Sequence, residues 1–213
     1  MMSKGRLRHV AERVCAGSED SLSEGLTWNA LHSVYSPNPQ GWGGMYTSTV
    51  VDDEAHAMKV MVGMEDAFQK KDESYFVKVL NTEPSLVLRV HAVCILAEVG
   101  GAKSVPTLSD VLLHDSDPLV RHEAAFSLGQ IGLADGNVAL AQAVINDKDP
   151  IVRHESAAAL GSVGSAESEE VLTRALEDKD EMVRNSAKAS LFNIRFLKQY
   201  SSGSTAKDRA PRP

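Results

Sequence analysis

The chain has 213 residues, with 22 Lys and Arg against 29 Asp and Glu, a formal charge of −7, and 43% hydrophobic but only 5% aromatic residues. This composition fits a folded globular chain and excludes a collagen, a coiled coil or a disordered acidic tail. The acidic balance argues against nucleic acid as a partner, because phosphate binding needs clustered Lys and Arg, and no apolar run approaches the roughly 18 residues of a membrane span.

Residues 1–50 hold both tryptophans, Trp28 and Trp42, and two tyrosines, Tyr35 and Tyr46, together with the turn-rich run SPNPQGWGG. Short helices are expected near 5–15 and 21–33, followed by an ordered loop. The extreme N-terminus is basic and amphipathic but lacks an unbroken apolar stretch, so it does not read as a secretory signal. Cys15 and Cys94 form neither a CxxC pair nor a disulfide framework, which points to the reducing cytoplasm.

From residue 51 the pattern changes. Helices are expected over 53–69 and 73–80, and then the chain repeats itself. Arg89 opens RVHAVCILAEVG, Arg121 opens RHEAAFSLGQIG, Arg153 opens RHESAAALGSVG and Arg184 opens RNSAKASLFNI, at spacings of 32, 32 and 31. Gly100, Gly132 and Gly164 close the first three copies. Asp117-Pro118 and Asp149-Pro150 each supply an N-cap followed by proline in the first turn. The apolar stretches 105–113, 138–144 and 169–176 supply the partner helices.

A two-helix unit of about 32 residues cannot bury its own apolar face, so copies must stack. The expected architecture is all-α: a right-handed α-solenoid of helix-pair repeats over 51–199, preceded by an aromatic N-terminal capping segment, 1–50. Capping is preferred there over a lid formed by the glycines between 41 and 44. The tail 200–213 reads as disordered.

At about 100° per residue, Val120, Ala124, Leu128 and Ile131 share one face of their helix, as do Val152, Ser156, Leu160 and Val163. His122 and His154 fall on the opposite side with Gly129 and Gly161, and Glu123 and Glu155 lie on the flanks. Glycine inside a helix costs about 1 kcal/mol relative to alanine, and here it recurs at one slot, as if the backbone beside each histidine had to stay accessible. Second helices of such units usually line a concave face. Imidazoles and carboxylates of adjacent repeats can converge there on iron, manganese or zinc. Against this stands a plainer reading, in which the histidines are repeated surface residues and the glutamates pair with Arg121, Arg153 or a lysine. His91 is a further candidate ligand.

The strings VRHEAAFSLGQIG and VRHESAAALGSVG resemble HEAT-like repeats of the phycobilisome-lyase type. Within that superfamily they look most like one half of the deoxyhypusine hydroxylases. Those enzymes carry His-Glu pairs at this slot and hold a non-haem di-iron centre that hydroxylates a protein side chain. The resemblance implies iron as cofactor, with His122, Glu123, His154 and Glu155 as ligands and no catalytic residue beyond them. It also implies that Gly129 and Gly161 give a substrate side chain access. The enzymes have four His-Glu pairs and this chain has two, so a complete site needs a homodimer or another chain. Residues 1–50 are charge-balanced and 201–213 carry a net +2, leaving −9 for 51–200, a field that suits a cationic protein side chain. Two other functions compete: a non-catalytic protein–protein interaction scaffold, and a phycobilin-lyase-like chaperone.

Overall fold

The computed structural model describes residues 53–165 and 167–201, which form nine α-helices and no strand. The expected N-terminal segment, with its aromatic residues, and all of the tail after Ser201 lie outside the described residues. The helices fall into two compact units that divide after Gly101.

The first unit contains α1 (Glu54–Lys70), α2 (Glu73–Thr82) and α3 (Leu86–Gly100). The carboxylates of Asp53 and Asp72 accept the amides of His56 and Ser74, which satisfies donors that a helix start leaves open. α1 packs on α2 and α3 around Met64, Phe76, Leu88 and Leu96, all fully buried. The sequence placed the end of α3 at Gly100. The helix instead includes Gly100, and Gly101, at φ +50°, is the residue that turns the chain away.

The second unit contains α4 (Val105–His114), α5 (Pro118–Ile131), α6 (Asn137–Asn146), α7 (Pro150–Val163), α8 (Ser168–Ala175) and α9 (Glu181–Ser201). α4 packs on α5, α6 on α7, and α8 on α9; the second helices also pack directly on one another, α5 on α7 and α7 on α9. Three pairs therefore stack in two layers. Leu108, Leu112, Val120, Leu128, Leu140, Leu160 and Leu172 lie at 0–1% exposure between the layers.

The ends of these helices follow from the repeated residues. Asp117 and Asp149 accept the amides of Leu119 and Ile151 at 2.8 and 3.0 Å, with Pro118 and Pro150 in the first turn. Gly132 and Gly164 take the left-handed conformation at φ +69° and +72°, and their amides return to Leu128 and Leu160. In the last copy the corresponding position is Arg195. With no glycine there to stop it, α9 runs on to Ser201. Phe192, at the position that is Gly129 and Gly161 in the earlier copies, is 74% exposed.

Within the second unit, the opening arginines of the first two copies tie each to the next. Arg121 donates Nε and Nη2 to the two oxygens of Asp147 at 2.8 and 2.9 Å, and Arg153 does the same to Asp178 at 2.8 and 3.0 Å. A third nitrogen, Nη1, donates to a carbonyl of its own loop, Asp115 O or Asp147 O. The partnership expected between these arginines and the neighbouring glutamates is thus replaced by one with aspartates of the following repeat. The hydrogen bonds and charge of the aspartates raise the pKa of both guanidinium groups.

Burial pushes the Asp178 carboxyl up, but the hydrogen bonds from Arg153 and the Asp180 amide outweigh it and hold the group below its ordinary value. A carboxyl depressed by folding adds stability above the unfolded-state pKa of about 4, and that stability is lost as the pH falls through the lower folded value. Thermal melts should therefore be insensitive to this group above about pH 5 and show a falling midpoint below about pH 4. Asp178→Asn should flatten that acid limb.

Candidate functional site

The second helices of adjacent repeats lie side by side, so a residue at one slot of α5 meets the neighbouring slot of α7. His122 Nε2 is 3.4 Å from Glu155 Oε2, across the α5–α7 boundary, and His154 Nε2 is 4.0 Å from the same oxygen. Two imidazoles thus converge on one carboxylate. The His122 and Glu155 side chains are mostly covered, at 22% and 15% exposure, and His154 is 31% exposed.

The helical wheel put the histidines opposite the core, and the next helices, α7 beside His122 and α9 beside His154, show why they are half-buried even so: the wheel registers the partner helix of a pair but not the next helix of the stack. The same neighbour explains Gly129 and Gly161. A Cβ on Gly129 would stand 2.8 Å from Ala159 Cβ and 2.9 Å from Ala159 Cα. A Cβ on Gly161 would stand 2.5 Å from Ser190 Cβ and 2.7 Å from Ser190 Cα. The space that substrate access would need beside both glycines is taken by the adjacent helix backbone, and their use here is close packing. Ser190 and Asn193 stitch that contact by donating to the carbonyls of Ala157 and Gly161, both at 2.8 Å.

The other expected site residues are placed as follows. Glu123 is half-buried on α5. His91 lies in the first unit on α3, where its Nδ1 donates to the Val87 carbonyl at 2.8 Å. Ser186 occupies in α9 the slot that Glu155 occupies in α7. Its Oγ is 2.5 Å from His154 Nδ1, so each histidine slot contacts the glutamate slot one repeat on. The sequence signalled this partner only as a departure from the repeated Glu.

Ligands that bind one ion at about 2.0–2.2 Å lie roughly 3–4 Å apart, and the two nitrogen–oxygen separations fall in that range. An imidazole–carboxylate set suits ferrous iron, manganese or zinc. His122 Nδ1 is buried without a hydrogen-bond partner, and His154 Nδ1 is held by Ser186. The residues fit a metal as part of a ligand set. Among the described residues, no group of three or more His, Cys, Asp or Glu is placed to hold a metal ion by itself.

The stacked pairs, the capped repeat ends and the repeated arginine rungs define an α-helical repeat protein. HEAT repeats match residues 74–141 and 137–195, and the chain belongs to the HEAT-repeat family. Among curated proteins, none matches the sequence. Among solved structures, human deoxyhypusine hydroxylase in complex with glycerol is similar, with 26% identity and a TM-score of 0.56 over 68% of this chain. The match covers 50% of that hydroxylase, so the chain spans about half its length.

Proposed function

We propose that His122, His154 and Glu155, with Glu123, form half of an iron site that serves oxygen-dependent hydroxylation of a protein side chain, as in deoxyhypusine hydroxylase. The observation that carries this reading is the convergence of two imidazole Nε2 atoms on Glu155 Oε2. The 26% identity to the hydroxylase supports it. When bound, iron would supply oxygen activation. The protein's own part is to hold the two imidazoles and the carboxylate in register through the α5–α7 contact and to attract a cationic side chain with its acidic body. Further ligands would come from a second copy of this chain or from another chain.

Metal content measured at known oligomeric state tests the reading. At least about 0.5 iron per chain is expected after ferrous reconstitution, in a species larger than a monomer, on the chemistry of a carboxylate–imidazole site. His122→Ala and His154→Ala should each release the metal while the circular dichroism spectrum stays helical, since neither side chain belongs to the fully buried core. Iron below about 0.2 per chain after reconstitution would overturn it, being too little even for a shared site. A non-catalytic interaction scaffold is the second reading, favoured by Val138 and Phe192, large apolar side chains at 68% and 74% exposure. A partner bound equally well by wild type and by His122→Ala would favour it.

A further inference from the structure

We infer that Ser186 is a positioning residue that fixes the proton of His154 on Nδ1 and so presents the lone pair of Nε2 to the Glu155 carboxylate. The argument is a count of protons along one chain of contacts. Ser186 Oγ lies 3.1 Å from Met182 O, a carbonyl, which only accepts; the serine hydroxyl therefore donates there. With its one proton spent, the hydroxyl oxygen must accept from its other neighbour, His154 Nδ1, 2.5 Å away. That arrangement makes two hydrogen bonds. The reverse, with the hydroxyl donating to an unprotonated Nδ1, makes only one and leaves Met182 O without the side-chain donor.

Neutral imidazole carries a single proton, so a protonated Nδ1 leaves Nε2 as an acceptor. Nε2 is 4.0 Å from Glu155 Oε2, itself an acceptor when ionised. Two electron-rich atoms facing each other at this distance form a seat for a cation. The duplicated dipeptide is therefore not duplicated in its chemistry. His122 has its Nδ1 buried with no hydrogen-bond partner, so nothing at that nitrogen fixes its tautomer, and its Nε2 lies 3.4 Å from Glu155 Oε2 without a hydrogen bond. The first histidine only lies beside the carboxylate, and the second, set by Ser186, offers it a vacant electron pair.

The tautomer follows from the hydrogen bonds alone; its consequence for a metal rests on the function proposed above, and the two are tested separately. Long-range proton–nitrogen NMR spectra of the ¹⁵N-labelled full chain, at a pH above 8 with chelator present, report which ring nitrogen is protonated. His154 is assigned by its loss in His154→Ala. The expected wild-type pattern is pyrrole-type Nδ1 and pyridine-type Nε2. Ser186→Ala should move His154 toward the Nε2-protonated form that free imidazole side chains prefer, and Ser186→Thr, which keeps the hydroxyl, should retain the wild-type pattern. An Nε2-protonated His154 in the wild type, which needs no variant to observe, overturns the inference, and so does a pattern unchanged in Ser186→Ala. In a parallel titration with cobaltous ion, Ser186→Ala should weaken binding about 10–100-fold, the usual effect of losing a group that orients a ligating imidazole. If the wild type binds no cobalt or iron, the hydroxylase reading fails, while the role of Ser186 is decided by the spectra.

Discussion

Arg153→Ala is expected to cost about 3–5 kcal/mol of stability, as much as truncating a buried leucine of the core. Arg153 and Asp178 are 6% and 13% exposed, and truncation would leave the carboxylate covered and without its two guanidinium donors. It would also strip the Asp147 and Lys148 carbonyls of the Nη1 donor they share. For a domain whose whole stability is about 5–15 kcal/mol, this is a large fraction. Lysine should not rescue it, because an ammonium group cannot make the forked contact. Denaturant titrations measure the loss. Hydrogen exchange should show where it falls: α8 and α9 opening first while α4 and α5 stay protected, since each pair of a stacked array leans on its neighbours. A loss under about 1 kcal/mol, typical of an exposed ion pair, would refute the argument.

Gly161→Ala should also destabilise, by about 2 kcal/mol, although alanine is the better helix former by about 1 kcal/mol. The added methyl meets the Cα of Ser190, and a backbone atom cannot be moved aside by a change of rotamer. α7 and α9 must separate. That weakens the hydrogen bonds from Ser190 and Asn193, each worth about 1 kcal/mol, and pulls Ser186 from His154. Gly129→Ala, which meets Ala159 at 2.8–2.9 Å, should lose less. The measurement is the thermal midpoint of both variants. A Gly161→Ala protein as stable as the wild type would mean that the helices can part without cost and would reopen the question of why glycine stands there.

Much of this fold is legible in the sequence. A period of 32 marks the repeats, Asp-Pro marks the helix starts, and glycine marks the stops, because each depends on a local backbone property that one residue type satisfies. What stayed hidden depends on the neighbour in the stack. The arginine rungs required pairing Arg121 with Asp147 and Arg153 with Asp178, one repeat on, and the first aspartates of the DKDP and DKDE runs carried the only signal. The glycines were visible, but a wheel of one helix made their face look open when a second backbone fills it. At the site, the His-Glu dipeptides drew attention to themselves. The contact that forms is between His122 and Glu155 of different repeats, and the partner of His154 is a serine.

The same slot that brings the helices close also makes the stack a sentence with a full stop. α5 and α7 each receive the next helix on a bare glycine, and α9 presents the ring of Phe192 at the equivalent place, open to solvent. A surface that meets α9 there cannot copy the distance or the angle at which the earlier helices meet. The rule that generates each pair from the one before expires at this residue. Any partner of that end must bring a shape of its own.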